Sequence, residues 1–179
     1  MNENTRQGSW QLDGAIRDPQ SITREWIPVG QPFIDGVVLH EIKPVIAGYG
    51  HLVEIVRAEW LGPTPHIDQI FQATLTPGAV SAWHAHEHTT DRFFVLAGTA
   101  RVVLFDRRHD SPTAGVVNEF RLGALRPALL VVPPRIWHGV KNVGHDPMCL
   151  LNVVDRAYEY DAPDHWRVPM DHPDVPYRF

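Results

Sequence analysis

Prolines and glycines interrupt this chain so often that long helices are excluded. Sixteen prolines and 13 glycines are spread along the 179 residues rather than concentrated in one segment. Between them lie about ten short runs rich in β-branched and aromatic residues, at spacings of roughly 8 to 12 residues and with almost no helical periodicity. This pattern is typical of an all-β sandwich or barrel and predicts a jelly roll built from two sheets.

These runs give the predicted strands. One strand contains His84 and His86, and the others are 34–42, 51–60, 67–75, 93–96, 100–105, 116–122, 128–132, 137–142 and 148–154. Three regions follow from this division. We expect residues 1–32, which are polar and contain prolines, to form an arm. Residues 33–160 are expected to form the barrel, and residues 161–179 an extension packed on it.

Charge and composition exclude several classes of partner. The net charge is −5, and no lysine or arginine stripe is present, which argues against nucleic acid. No apolar run approaches the ~18 residues of a membrane span. The single cysteine, Cys149, cannot form an intrachain disulfide, and this fits a reducing compartment. We therefore expect a cytoplasmic protein that binds a small molecule.

Three histidines and a carboxylate form the most informative pattern. His84 and His86 are two residues apart in a strand, so their side chains project from the same face. Asp91 lies one strand later, and His138 follows a double proline on a distant strand. Imidazole nitrogens with one carboxylate bind Zn, Fe, Ni or Mn, so the sequence predicts a divalent metal site inside a small barrel.

Alternatives to this metal site stay open. His84 and His86 could instead be histidines satisfied by hydrogen bonds in a polar barrel mouth. Asp91 has a short side chain, and His88 could take its place, although a solvated loop position also explains His88. Surface or tail positions explain most of the remaining histidines, a set that includes His165.

The spacing of these residues resembles the two sequence motifs of the cupin family. The first motif matches at Gly78, His84, His86 and Gly98, with Asp91 at the position of a glutamate. The second motif matches at Pro133, His138 and Asn142, with Arg135 in place of a glycine. The resemblance implies the cupin double-stranded β-helix, with the three histidines as metal ligands.

A more specific resemblance is to the dTDP-4-dehydrorhamnose 3,5-epimerase family, a branch of the cupin architecture. It is carried by residues 34–45, 48–60, 97–115, 133–140 and 158–163, and most clearly by the sequence SPTAG after a strand ending in Asp-Arg-Arg. The resemblance implies a nucleotide-linked 4-keto sugar as substrate. It also implies a histidine base that removes protons beside the ketone, and often a tyrosine acid. His84 falls on the catalytic histidine of that family, and His138 on its later His-Gly motif.

Two departures from this family concern the phosphates of the substrate. Tyr49 and Ser81 stand where the family has arginines that contact phosphate. Each such charge-assisted contact is worth ~1.5 to 3 kcal/mol. The sequence therefore indicates that the scaffold persists while the nucleotide site has been rebuilt.

Our hypothesis from sequence is an epimerase-like, metal-binding cupin that acts on a sugar or another small keto or hydroxy compound. The metal ligands are His84, His86, Asp91 and His138, and the catalytic candidates are His84, Arg92 and Tyr160, with Tyr158 as an alternative tyrosine. An Fe(II)-type dioxygenase and a non-catalytic ligand-binding cupin are the rival hypotheses. We also expect a homodimer, because the arm carries apolar residues and the related epimerases pair through their early strands.

Overall fold

The structure, a computed structural model, describes residues 10–24, 29–30, 32–61 and 65–179. The chain divides into two units, 1–32 and 33–179. Residues 1–9, 25–28 and 31 of the predicted arm lie outside the described residues. In the described parts of the chain, no helix is long and apolar enough to cross a membrane.

The second unit is built from short strands. In its described residues the strands are, in chain order, β1 (Val38–Glu41), β2 (Val45–Ala47), β3 (Gly50–Leu52), β4 (Gln69–Leu75), β5 (Val80–Ala85), β6 (Asp91–Ala97), β7 (Thr99–Asp106), β8 (Val117–Gly123), β9 (Ala128–Val132), β10 (Ile136–Asn142), β11 (Met148–Val154) and β12 (Trp166–Arg167). A single turn of 3-10 helix, Ala58–Trp60, is the helical element in this described set. The predicted strands 128–132 and 148–154 are confirmed as β9 and β11.

Two five-stranded antiparallel sheets carry the fold. One sheet has the order β1-β9-β6-β11-β4 and the other has the order β12-β5-β10-β7-β8, while β2 and β3 form a separate hairpin. Alternate residues of both sheets point into a shared apolar core, in which Val102, Leu104, Leu130 and Met148 are fully buried. The predicted all-β jelly roll is thereby confirmed, because sheet neighbours such as β6 and β9 are distant in the chain.

The predicted strand 51–60 is wrong beyond Leu52. Residues 53–57 form no ladder, and Ala58–Trp60 is the 3-10 turn. Val53, Ile55 and Trp60 instead pack against Phe94 and Leu129 on the other face of the first sheet. The apolar pattern that suggested a strand therefore arises because these residues cover one face of the sheet without forming a strand of it.

The predicted strand 34–42 is also shorter than expected. Only Val38–Glu41 pairs with β9, because the N–H of Val37 donates to the carbonyl of Ile34 in a turn before it. Both Ile34 and Val37 are nevertheless buried in the core. These residues are apolar because they are buried in the core, so their sequence looked like a continuation of the strand.

The C-terminal residues lie against the second sheet. Val175, Tyr177 and Phe179 pack around Trp83, which is fully buried, and the ring centroids of Trp83 and Phe179 are 5.1 Å apart. Farther back, Arg167 of β12 pairs with His84 of β5 in the antiparallel ladder. This pairing places the residues just before β12 next to the histidine strand.

Candidate active site

The structure brings the four predicted metal ligands together. His84 comes from β5, His86 lies just past the end of that strand, and His138 comes from the adjacent strand β10, where it pairs with His84. Donor atoms of the three histidines lie within 4.8 Å of one another. Asp91 comes from β6 of the other sheet, and its Oδ2 is 3.4 Å from Nε2 of His86 and 3.5 Å from Nε2 of His138. The cluster thus spans both sheets.

Backbone carbonyls determine which nitrogen of two histidines carries the proton. Nδ1 of His138 bonds to the carbonyl of Ile136 at 2.9 Å, and Nδ1 of His86 bonds to the carbonyl of Asp164. A carbonyl oxygen can only accept, so both Nδ1 atoms must be the protonated ones. Each Nε2 then presents a lone pair towards Asp91, and this is the tautomer that a metal-binding histidine needs.

Asn152 holds the carboxylate of Asp91 in place. Its Nδ2 donates to Oδ1 of Asp91 at 2.7 Å, and its Oδ1 accepts the backbone N–H of Arg92 at 3.0 Å. These two bonds fix the orientation of the amide, since only Nδ2 can donate. Both side chains are buried, so Oδ2 of Asp91 is left facing the imidazoles.

Burial keeps the imidazoles of His84, His138 and His165 neutral. The pKa of His84 lies far below its ordinary value, mainly because burial disfavours the charged form and also because His138, His165 and His86 are close. Burial also lowers the pKa of His138, and Asp91 opposes this shift only in part. The pKa of His165 falls to about 4, again chiefly through burial. The lone pairs of these rings are therefore available at physiological pH.

Sequence reasoning missed His165 as a site residue. Its ring centroid lies 5.2 Å from that of His84 and 5.0 Å from that of His86, and it lines the same cavity. Its Nε2 is buried and has no hydrogen-bond partner among the described residues. The only sequence signal was weak: His165 and Arg167 are two residues apart, as His84 and His86 are.

Asp164 ties the C-terminal extension to the loop after β5. Its carboxylate accepts the backbone N–H groups of Glu87, His88 and Thr89 at 2.7, 2.9 and 3.1 Å, and the hydroxyl of Thr89 at 3.0 Å. Although burial opposes it, these bonds lower the pKa of Asp164. His88 itself is exposed at the cavity edge, so the structure favours Asp91 over His88 beside the other histidines.

Two predicted catalytic residues do not meet the histidines. Arg92 follows Asp91 in the strand, so its side chain leaves the opposite face of the sheet. Its guanidinium is fully buried, donates to the carbonyl of Leu61 at 2.7 Å and lies 3.8 Å from Asp155. Tyr160 is 86% exposed and packs against Tyr158, and of these two tyrosines only Tyr158 lines the cavity.

A cavity of about 360 Å³ opens onto the histidines. This volume lies within the range of small-molecule sites. One wall is apolar and includes Phe71 and Leu150, and the polar wall carries the histidines. Arg156 and Arg167 also line the cavity, and neither forms an ion pair with a described residue. The arrangement can therefore hold a ligand that is partly apolar and partly anionic.

Comparison with known proteins identifies what this chain is similar to. The family model described as polysaccharide biosynthesis C-terminal domain matches residues 47–166. A probable low-salt glycan biosynthesis epimerase, Agl13 of Haloferax volcanii, is 33% identical over 141 residues, which cover 78% of this chain and 90% of the relative.

Solved structures share the fold. A dTDP sugar isomerase from Desulfovibrio desulfuricans G20 superposes with a TM-score of 0.73 at 29% identity, covering 80% of this chain and 90% of the other. A dTDP-4-dehydrorhamnose 3,5-epimerase from Bacillus anthracis, with TDP and PPi bound, superposes with a TM-score of 0.71 at 22% identity, covering 79% and 83%. The resemblance seen in the sequence is confirmed, as is the cupin fold that it implied.

Proposed function

Because the chain belongs to the polysaccharide biosynthesis C-terminal domain family, we propose that it is a sugar epimerase acting on a nucleotide-linked keto sugar. The observation that carries this proposal is the cluster of imidazoles beside a cavity of about 360 Å³, in which burial lowers the pKa of His84 and of His165. Family likeness supplies the reaction class, and the site supplies groups able to perform it.

The reaction is the inversion of a carbon beside a ketone. A base takes the proton from that carbon, the electron pair moves onto the ketone oxygen, and a proton returned on the opposite face completes the inversion. In the metal-free site, His84 is our proposed base, since it lines the cavity and is neutral before the reaction. A neutral imidazole has one lone pair, so His84 cannot take this proton while it binds an ion. Burial also makes its imidazolium costly, so the substrate proton must itself be acidified.

The residues present fit a divalent transition metal. Nε2 of His138 is buried without a partner among the described residues, and Nε2 of both His86 and His138 faces Oδ2 of Asp91. We propose that these three residues and His84 would hold the ion, with Zn, Fe, Ni and Mn all compatible with the donor set. When bound, such an ion supplies Lewis acidity that polarises a carbonyl group.

Two arginines are suited to the phosphates of a nucleotide sugar. Arg156 follows β11 and Arg167 belongs to β12, so the two cations come from different sheets. Neighbours of Arg156 are tethered, because the N–H groups of Ala157 and Tyr158 donate to side chains at the start of β4. We propose that these arginines take over the role of the cations absent at Tyr49 and Ser81.

Tyr158 is the better placed tyrosine for returning a proton. It lines the cavity, whereas Tyr160 is almost fully exposed beside it.

The rival hypotheses, a dioxygenase and a non-catalytic binding protein, gain no support from the relatives described above, which are named as epimerases or an isomerase.

Deuterium exchange tests the proposed reaction. A dTDP-linked 4-keto-6-deoxy sugar is incubated with the protein in D₂O, and incorporation beside the ketone is followed by NMR and mass spectrometry. We expect His84→Gln to slow exchange by roughly 10²- to 10⁴-fold, the typical value of a general base. His145→Gln, at an exposed position outside the cavity, is the matched control. The test is run on the wild-type protein without added metal and with Zn²⁺, Fe²⁺, Ni²⁺ or Mn²⁺. The proposal would be wrong if no deuterium entered dTDP- or UDP-linked keto sugars under any of these conditions.

A further inference from the structure

We propose that His165, carried by the C-terminal extension, is a fourth imidazole ligand of the metal centre. This inference rests on the metal site of the proposed function and adds a ligand from a part of the chain that neither cupin motif covers. The donor set becomes His84, His86, His138 and His165 with the carboxylate of Asp91.

Ring separations support a shared ion. A metal–nitrogen distance of about 2.0–2.1 Å, with about 1.1 Å more to the ring centre, places two imidazole centroids about 4.5 Å apart at right angles and about 5 Å apart at tetrahedral angles. Centroid distances among the three predicted histidines are 6.0, 4.1 and 5.6 Å. His165 lies 5.2 Å from His84 and 5.0 Å from His86, inside that range.

The free nitrogen of His165 is the second observation. Its Nε2 is buried, and no described residue offers it a hydrogen bond. A buried polar atom without a partner costs about 1–3 kcal/mol, so such atoms are rare unless a ligand satisfies them. Nδ1 of His84 and Nε2 of His138 have the same property. Unsatisfied imidazole nitrogens thus come from β5, β10 and the C-terminal extension, and the rings that carry them are neighbours of the His84 ring.

The backbone around His165 is held firmly enough to present a ligand. Immediately before it, the carboxylate of Asp164 binds the N–H groups of residues 87–89. Immediately after it, Trp166 and Arg167 pair with Ala85 and His84. The extension is therefore held on both sides of His165, by the loop after β5 on one side and by β5 itself on the other, as a pre-organised site requires.

The position of His165 also defines its role. His138 is 1% exposed and is absent from the cavity wall, whereas His165 lies on that wall. An ion in this cluster would therefore have His138 on its buried side and His165 on the side that a substrate approaches. Five protein donors suit a five- or six-coordinate metal better than a closed tetrahedral one.

Metal binding by the full chain tests the inference without reference to turnover. Apoprotein is titrated with Zn²⁺ against a chromogenic chelator, and pulsed EPR of the Cu²⁺ form counts coordinated imidazoles. We expect His165→Ala and His165→Gln to weaken Zn²⁺ binding by at least about 10- to 100-fold and to lose one imidazole from the EPR count. His145→Ala should match wild type in both measurements, and circular dichroism verifies that each variant is folded.

Different outcomes separate this inference from the epimerase proposal. An unchanged imidazole count and Zn²⁺ affinity in both His165 variants would overturn it, as would a wild-type protein that takes up no metal. A wild-type protein that exchanges deuterium but takes up no metal would overturn this inference while leaving the epimerase in place. Four coordinated imidazoles in a wild-type protein that exchanges no deuterium would support this inference and contradict the epimerase proposal.

Discussion

Gly98 lies in the turn between β6 and β7, where a side chain would meet the backbone of a neighbouring strand. A Cβ placed on Gly98 would come within 2.8 Å of Cα and 3.0 Å of Cβ of Met148, and its φ is +79°. Gly78, the other glycine of the first cupin motif, has φ of +77°, but its Cβ would have open space around it. The two glycines therefore share one conformation and differ in steric surroundings.

The cost of an alanine at each position follows from this difference. A left-handed conformation costs an L-residue about 1–2 kcal/mol, so Gly78→Ala should lose about that much stability. Gly98→Ala carries the same conformational cost, and overpacking against Met148 adds about 1–3 kcal/mol, since the atoms it would meet belong to backbone and a fully buried side chain. The total for Gly98→Ala is about 2–5 kcal/mol.

Urea unfolding of the two variants beside wild type measures this difference directly. The midpoint should fall for both and should fall further for Gly98→Ala, with the slope m unchanged. Equal losses in the two variants would refute the steric reasoning and leave only the conformational cost. A smaller loss for Gly98→Ala than for Gly78→Ala would contradict the reasoning as well.

Further predictions concern the site and the loop after β7. Asn152→Ala removes the amide that holds Asp91, so Zn²⁺ affinity in a chelator competition should fall about 10- to 100-fold, and an unchanged affinity would contradict that role. Arg167→Ala should weaken binding of inorganic pyrophosphate, measured by calorimetry, about tenfold relative to the surface variant Arg121→Ala, and equal affinities would exclude the proposed contact. Although burial opposes it, hydrogen bonds from Arg108, Ser111 and Thr113 hold the pKa of Asp106 well below its usual range. The stability that the ionised Asp106 contributes is therefore present above pH ~4 and is lost as the pH falls below it. The difference in unfolding free energy between wild type and Asp106→Asn should then shrink on acidification. A difference that stayed constant with pH would contradict this explanation. Light scattering of the full chain tests the expected homodimer, and a monomeric mass would contradict it.

The sequence predicted the strands and three of the imidazoles because both depend on local patterns. Alternation along the predicted strand placed His84 and His86 on one face, and the motif spacing paired them with His138. The structure confirms β9 and β11 residue for residue. These features need no knowledge of which segments meet in space.

The missed parts depend on contacts between distant segments. The bond between Asn152 and Asp91 joins residues 61 positions apart, and nothing in either local sequence indicates it. His165 sits in a proline-rich tail without strand periodicity, so its approach to β5 could not be predicted. Arg92 became a catalytic candidate through the family resemblance, in which it or Asp91 aligns with a lysine, but strand alternation sends its side chain to the opposite face.

The position of the site between the two sheets means that ligand binding affects the stability of the fold. His84 and His138 belong to one sheet and Asp91 to the other, so a cation or substrate bound between them would contact both sheets. Binding to the folded state alone raises resistance to unfolding by RT ln(1 + [L]/Kd), which is about 2.7 kcal/mol at a hundredfold excess over Kd. The melting temperature of this protein would then report which ions and sugars it accepts, before any reaction has been observed.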